Sequence, residues 1–187
     1  RFAFADPEEI EANCRLLNQL VDIAAAMEAP FVRSFVGGVP KGTRRRDLIR
    51  PIAEALTRCA DRAAEKNVRI GLETHDDWCV ASNLMTIIKL VDSPSLGVIY
   101  DIFNALCGSG ESWKETYFSI CNHLCYCHVK DGWFLPDGRH EYVFIGAGDV
   151  PFHEVFAQLK KDGYDSLLSF EWEKKWVPEL PEPEQAA

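Results

Sequence analysis

The chain has 187 residues, 47% hydrophobic and 26% charged, a composition that fits one globular domain and excludes extended disorder. Its 20 basic against 29 acidic residues give a formal net charge of −9, which repels a phosphate backbone and excludes nucleic acid as the expected partner. No apolar run approaches the roughly 20 residues that span a bilayer, and Arg1 to Glu9 lack the layout of a signal peptide, so the expectation is a cytoplasmic protein without a membrane partner.

Residues 7 to 29 read as a helix, with Asp6 as N-cap, Pro7 at the first position and Glu8 and Glu9 in the first turn. Ile10, Leu16, Leu17, Leu20, Ile23, Ala24 and Met27 recur at helical spacing and predict a packed face. A strand over Phe31 to Val36 follows, broken by Gly37-Gly38. Asp47 could cap a second helix over 48 to 66, which leads into a strand ending at Glu73. A short helix through Leu84, Ile87, Ile88 and Leu90 then precedes a strand ending at Asp101. A helix from about Ser112 to Asn122 leads into the strand Leu124 to Val129, after which Gly132 to Phe144 reads as a long loop with Asp137-Gly138 as a turn. Asp149 could cap the next helix, and a last strand ends at Glu171. Gly146-Ala147-Gly148 lacks the flanking pattern and third glycine of a dinucleotide fingerprint. The chain therefore divides into a domain over 1–177 and a tail over 178–187, too rich in proline to pack as a helix.

Helices and strands alternate at an interval close to the roughly 30 residues of one βαβ step, which predicts a parallel sheet with all strand ends on one side. In a (β/α)8 barrel that side carries the active site. Only five strands are visible, so the expected fold is an incomplete TIM barrel holding its last five strands, with amino-terminal units missing; an amino-terminal Arg instead of Met also reads as a fragment. An open-edged sheet of this kind invites pairing with another chain, so a homo-oligomer is expected.

Four of these strands close on a polar residue: Glu73, Asp101, His128 and Glu171. Three carboxylates and an imidazole suit a borderline to hard divalent ion such as Mn²⁺, Mg²⁺, Co²⁺ or Zn²⁺. Strand alternation puts Lys130 on the same side as His128, and His75 on the side of Glu73. Lys130 could contact substrate, serve as acid or base, or pair with a carboxylate; Asp131 could orient a ligand or cap the loop. Cys125 and Cys127 face away from His128 by the same alternation, so the seven scattered cysteines read as reduced core thiols. Lys41 to Arg46 could recognise a phosphate or stand as a solvated loop. Trp78, Trp113, Trp133, Trp172 and Trp176 fall near the strand ends, where aromatic rims suit sugar rings or a subunit interface.

Glu73 in GLETH, Asp101 in YDIFN, His128 in CHVKD and Glu171 in SFEWE resemble the metal ligands of the xylose-isomerase-like TIM barrels, the sugar phosphate isomerase and epimerase superfamily, over about Pro30 to Pro183. The resemblance implies one divalent ion held by these four residues, with Glu73 and Glu171 as the proton-transfer pair of a ketose epimerase. It implies a sugar or cyclitol substrate, for which position near the strand ends makes His75, Asn104, Asp131 and Trp133 the candidate contacts and Lys130 a further candidate catalytic group. The chain departs from the epimerases in carrying Asn104 where they place a histidine, and Phe134 where they place an arginine.

The expected function is a metal-dependent isomerase or epimerase of a hydroxy-carbonyl compound, acting through an enediolate. Alternatives on the same site are a keto-cyclitol dehydratase of the inosose type and a 3-keto-glycoside-processing lyase. An apurinic-site endonuclease needs further His ligands and a basic surface, against five histidines and the charge of −9. A truncated barrel without enzymatic activity is the remaining alternative.

Overall fold

The computed structural model of the chain describes residues 1–4 and 6–186. Its first helix, α1 (Pro7–Ala26), begins where the sequence places it, with Asp6 accepting a hydrogen bond from the Glu8 N–H at 2.9 Å. The buried face is Ile10, Cys14, Leu17, Val21 and Ala24, whereas Leu16, Leu20, Ile23 and Met27 are exposed. The expected stripe thus splits in two, and only one half faces the core.

Strand β1 (Phe31–Ser34) is two residues shorter than its apolar run. Helix α2 (Arg45–Glu65) starts before Asp47, which lies in the first turn and accepts from Arg44 Nε at 2.6 Å; Asp47 is therefore not the cap. Leu48, Ile52 and Leu56 from α2 are buried, each contributing roughly 1.5–3 kcal/mol as an upper bound. Then come β2 (Arg69–Glu73), α3 (Ala81–Val91) and β3 (Leu96–Asp101). Helix α4 (Ile102–Ser109) follows with no loop between, since Asp101 itself is its N-cap; the sequence reading left this helix out.

Helix α5 (Trp113–Ile120) opens on a capping box between Ser112 and Glu115 and leads to β4 (Leu124–Val129). The expected loop after it is instead a hairpin of β5 (Asp131–Phe134) and β6 (His140–Val143), antiparallel, closing near Gly138 in the left-handed region. Helix α6 (Phe152–Lys161) has Pro151 at its N-cap position; Asp149 instead accepts from the Phe134 N–H at 2.7 Å, so the hairpin claims the residue expected to cap the helix. After β7 (Leu168–Phe170) the tail turns back, with the indole of Trp172 donating to Pro181 O at 2.8 Å. The tail ends in one helical turn, α7 (Pro183–Ala186), against the expectation of none; Pro at the first position is compatible with a helix start. Ala187 lies outside the described residues.

Among the described residues the five strands β1, β2, β3, β4 and β7 pair in that order, all parallel, as a half-barrel. Helices α1, α2, α3 and α5 pack one on the next along its outer face. Trp78, Tyr100, Phe2 and Phe103 are the largest fully enclosed side chains among the described residues. The register aligns Asp101 with His128 and Val129 with Phe170, so the ends of neighbouring strands meet on one rim. Among the described residues no helix is long and apolar enough to cross a membrane.

Candidate metal centre

The rim gathers what the strands carry. One ligand atom from each of Glu73, Asp101, His128 and Glu171 lies within 4.8 Å of the others. His128 Nδ1 stands 2.9 Å from Glu73 Oε1, 3.1 Å from Glu171 Oε1 and 4.0 Å from Asp101 Oδ2. Glu73, Asp101 and His128 are buried, while the Glu171 side chain keeps 25% of its exposure.

The strand ends explain this arrangement. Glu73 closes β2, Asp101 closes β3, and His128 projects from β4 beside Asp101. Glu171 follows β7, its backbone N–H still bonded to Val129 O at 3.0 Å. Asp101 divides its two oxygens: Oδ1 accepts the Asn104 N–H at 2.7 Å as the cap of α4, and Oδ2 turns into the cluster.

Lys130 lies in the same group. Its Nζ is 2.8 Å from Asp101 Oδ2, 3.0 Å from Glu171 Oε2 and 3.0 Å from Glu173 Oε1, with the side chain 4% exposed. Glu173 and Arg33, which pairs with Glu73 Oε2, belong to the site although the sequence reading did not single them out. A usable signal existed for both. Glu173 sits two residues beyond Glu171 and shares its side, and Arg33 interrupts the apolar run of β1.

Burial governs the ionisation here. It raises the Asp101 carboxyl to about 6, against the opposing Lys130 charge. Burial would raise Glu73 too, but the His128 hydrogen bond and the Arg33 charge outweigh it and hold that carboxyl below its ordinary value. For Lys130 burial works to lower the pKa, and the Asp101, Glu171 and Glu173 carboxylates overcome it and raise it. The three carboxylates favour the charged ammonium form of Lys130.

The donors fit a divalent cation on two grounds. Glu73 Oε2 and Asp101 Oδ2 are buried without a directed hydrogen bond; Arg33 and Lys130 reach them at ion-pair range but off hydrogen-bond angle. Four carboxylates, Glu73, Asp101, Glu171 and Glu173, also face two permanent cations, Arg33 and Lys130, leaving two negative charges to be met. A hard or borderline ion with oxygen and imidazole ligands meets both.

The other candidates divide. His75 stacks on Phe35 with centroids 4.8 Å apart, its Nδ1 3.1 Å from Asp76. Asp131 is turned to the loop instead of the cluster: its carboxylate accepts N–H groups from Gly132, Gly146, Gly148 and Val150 at 2.8–3.2 Å. Of the two roles expected for Asp131, orienting a ligand or capping the loop, its hydrogen bonds fit the second. Asn104 enters through its backbone as part of the Asp101 cap. Trp133 is half exposed, its indole N–H bonded to Ala147 O at 3.0 Å, and it lines a cavity of about 300 Å³ with Tyr142, Phe144, Trp172 and Pro181. Trp78 and Trp113 are buried and so belong to the core, not to an aromatic rim.

The basic run is engaged locally. Arg44 and Arg46 pair with Asp47, and Arg45 lies over the Trp78 ring. The seven cysteines are unpaired; Cys14, Cys59, Cys79, Cys125 and Cys127 are buried, whereas Cys107 and Cys121 are only partly so, against the expectation of core thiols throughout. A register shift between Val98 and Ile99, however, turns Cys125 toward the barrel side. Its Sγ lies 2.7 Å from where a Gly97 Cβ would stand, on the face shared with Asp101, so the expected alternation fails at that residue.

Comparison with known proteins places the fold. A family model described as xylose isomerase-like TIM barrel matches residues 1–187. An uncharacterized protein of Methanocaldococcus jannaschii, MJ1311, is 30% identical over 122 residues, which are 62% of this chain and 41% of that protein. A solved L-ribulose 3-epimerase superposes with a TM-score of 0.79 at 19% identity, covering 97% of this chain and 64% of its own. The IOLI protein with a bound zinc atom superposes with a TM-score of 0.79 at 17% identity, covering 91% of this chain and 63% of its own. The chain thus spans between two fifths and two thirds of these relatives, and at such identities the solved structures share its fold.

Proposed function

The chain belongs to the xylose isomerase-like TIM barrel family, and we propose that it supplies the divalent-metal centre of an isomerase or epimerase acting on a sugar or related hydroxy-carbonyl compound. The observation that carries this reading is the convergence of Glu73, Asp101, His128 and Glu171 from four separate strands, with two negative charges left to be met. Glu73, Asp101, His128 and Glu171 would hold a divalent ion, Mn²⁺, Mg²⁺, Co²⁺ or Zn²⁺, which would supply Lewis acidity to a carbonyl and so acidify the C–H on the adjacent hydroxyl-bearing carbon.

The chain's own residues provide the rest. Glu73 and Glu171 flank His128 from two sides, and each can take or return a proton at a carbon presented between them. Glu73 is held ionised by Arg33 and His128, which suits the accepting role; Glu171 is more exposed and stands at the mouth. Lys130, a lasting cation, orients an anionic or hydroxyl oxygen of the substrate.

Incubation with ketoses, inososes and 3-keto-glycosides in deuterated water tests the proposal. Deuterium should enter one carbon next to the carbonyl, stop with chelator and return with Mn²⁺, Co²⁺ or Mg²⁺. Loss of water from an inosose would assign the dehydratase branch. Turnover of any of them without solvent deuterium, and insensitive to chelator, would exclude the proton-transfer reading.

A further inference from the structure

Two of the three ligand carboxylates, Asp101 and Glu171, are held by one and the same cation of the chain, Lys130. Asp101 Oδ1 is spent on the Asn104 N–H, so Oδ2 is the oxygen that remains for an ion, and it lies 2.8 Å from Lys130 Nζ. Glu171 repeats the situation, with Oε1 3.1 Å from His128 Nδ1 and Oε2 3.0 Å from Lys130. An ammonium and a divalent ion on the same oxygens stand close enough to repel strongly in a buried setting. Glu173 is the third carboxylate around that ammonium, 3.0 Å away, and it lies outside the ligand group. It is rooted elsewhere, at the start of a short helical turn over Glu173–Lys175, and is partly open to solvent.

We propose that Lys130 and Glu173 form a transferable counter-charge: the ammonium neutralises Asp101 and Glu171 until a divalent cation takes their oxygens, and Glu173 then retains it at the rim. Glu173 is in this sense a positioning residue, acting on the ion through Lys130. The ammonium stands within 3.0 Å of an oxygen from each of three carboxylates, hydrogen-bonded to Glu171 and Glu173 and ion-paired with Asp101, so it can shift its weight onto Glu173 without leaving the site. The arrangement keeps a buried acidic cluster folded before an ion arrives and avoids burying an unpaired cation afterwards. The inference rests on the metal reading above.

The test is a double-mutant cycle on chelator-treated protein, with Mn²⁺ affinity measured by titration calorimetry. Glu173→Gln should weaken Mn²⁺ binding about tenfold, and Lys130→Met should strengthen it by a similar factor, because competition for Asp101 Oδ2 is gone. In the Lys130→Met background Glu173→Gln should change affinity less than about threefold. A purely structural role of Glu173 would show the same loss in both backgrounds, and that result overturns the proposal, as does weaker binding in both Lys130→Met and Lys130→Gln. Melting supplies a readout free of Lys130 variants: Glu173→Gln should leave the chelator-treated melting temperature nearly unchanged and reduce the rise on adding Mn²⁺. Equal destabilisation with and without Mn²⁺ counts against it. Failure of the unsubstituted protein to bind Mn²⁺ would instead overturn the metal reading, and the exchange with it.

Discussion

His128 Nδ1 lies 2.9 Å from Glu73 Oε1 across 55 residues of chain, with both side chains almost wholly enclosed. A contact of that kind forms only when the strands carrying the two residues are in register, and an enclosed imidazole between two carboxylates is well placed to share an ion with them. His128→Ala and Glu171→Gln should each weaken Mn²⁺ binding by more than the roughly 10–100-fold that loss of a supporting contact costs. Metal content after dialysis measures it. Both variants retaining the unsubstituted metal content would remove the ligand assignment.

Asp131 gives a prediction about the loop. Its carboxylate accepts four backbone N–H groups, two of them from Gly146 and Gly148. Asp131→Ala leaves those donors without a partner and should cost about 2–4 kcal/mol of stability. Urea unfolding measures the loss, and limited proteolysis should show new cleavage near Ile145–Ala147. An unfolding midpoint within error of the parent protein would mean that the loop holds itself.

Gly97 gives a prediction about packing. A Cβ there would meet the His123 carbonyl oxygen, Arg69 Nη2 at 2.6 Å and Cys125 Sγ at 2.7 Å. The carbonyl is backbone, and Arg69 is itself fixed by bonds to His123 O and Leu124 O. Gly97→Ala should therefore destabilise by about 1–3 kcal/mol. Thermal or urea unfolding checks it; a neutral substitution would show that β4 can move aside.

Self-association is the fourth expectation. Among the described residues β1 and β7 are the free edges of the sheet, and α1 turns Leu16, Leu20, Ile23 and Met27 outward. The 187-residue chain should associate with itself as concentration rises. Sedimentation velocity over a hundredfold range of concentration reads it, and Leu20→Lys with Ile23→Lys should shift the balance toward monomer. A single monomeric boundary throughout would refute the expectation.

The convergence of Glu73, Asp101, His128 and Glu171 is legible because each stands at or beside the end of an apolar strand, on a residue the apolar run cannot otherwise explain. Asp6 was legible as a cap for the same reason. The hairpin of β5 and β6 was not, since its pairing of Gly132 with Tyr142 and Trp133 with Glu141 shows no clean alternation of polar and apolar residues. Asp149 resembled a cap in isolation and was claimed by Phe134, 15 residues away, which local reading does not reach. Cys125 was placed on the wrong face because a register shift leaves no mark in the sequence of either strand. The fate of Asp131 depended on the path of the loop from Gly146 to Val150, which exists only once the hairpin has formed.

Strand β7 is three residues long, pairs on one side only among the described residues, and carries the partly exposed Glu171 directly after it. Glu73, Asp101 and His128 stand on β2, β3 and β4, each flanked on both sides. The two kinds of strand open on different clocks, since a short edge frays far more readily than an interior strand. Glu171 is thus the hinged member of the set. Backbone amide exchange at Leu168 to Phe170 should therefore run faster than in β2, β3 and β4, and Glu171 rides on the strand that frays first.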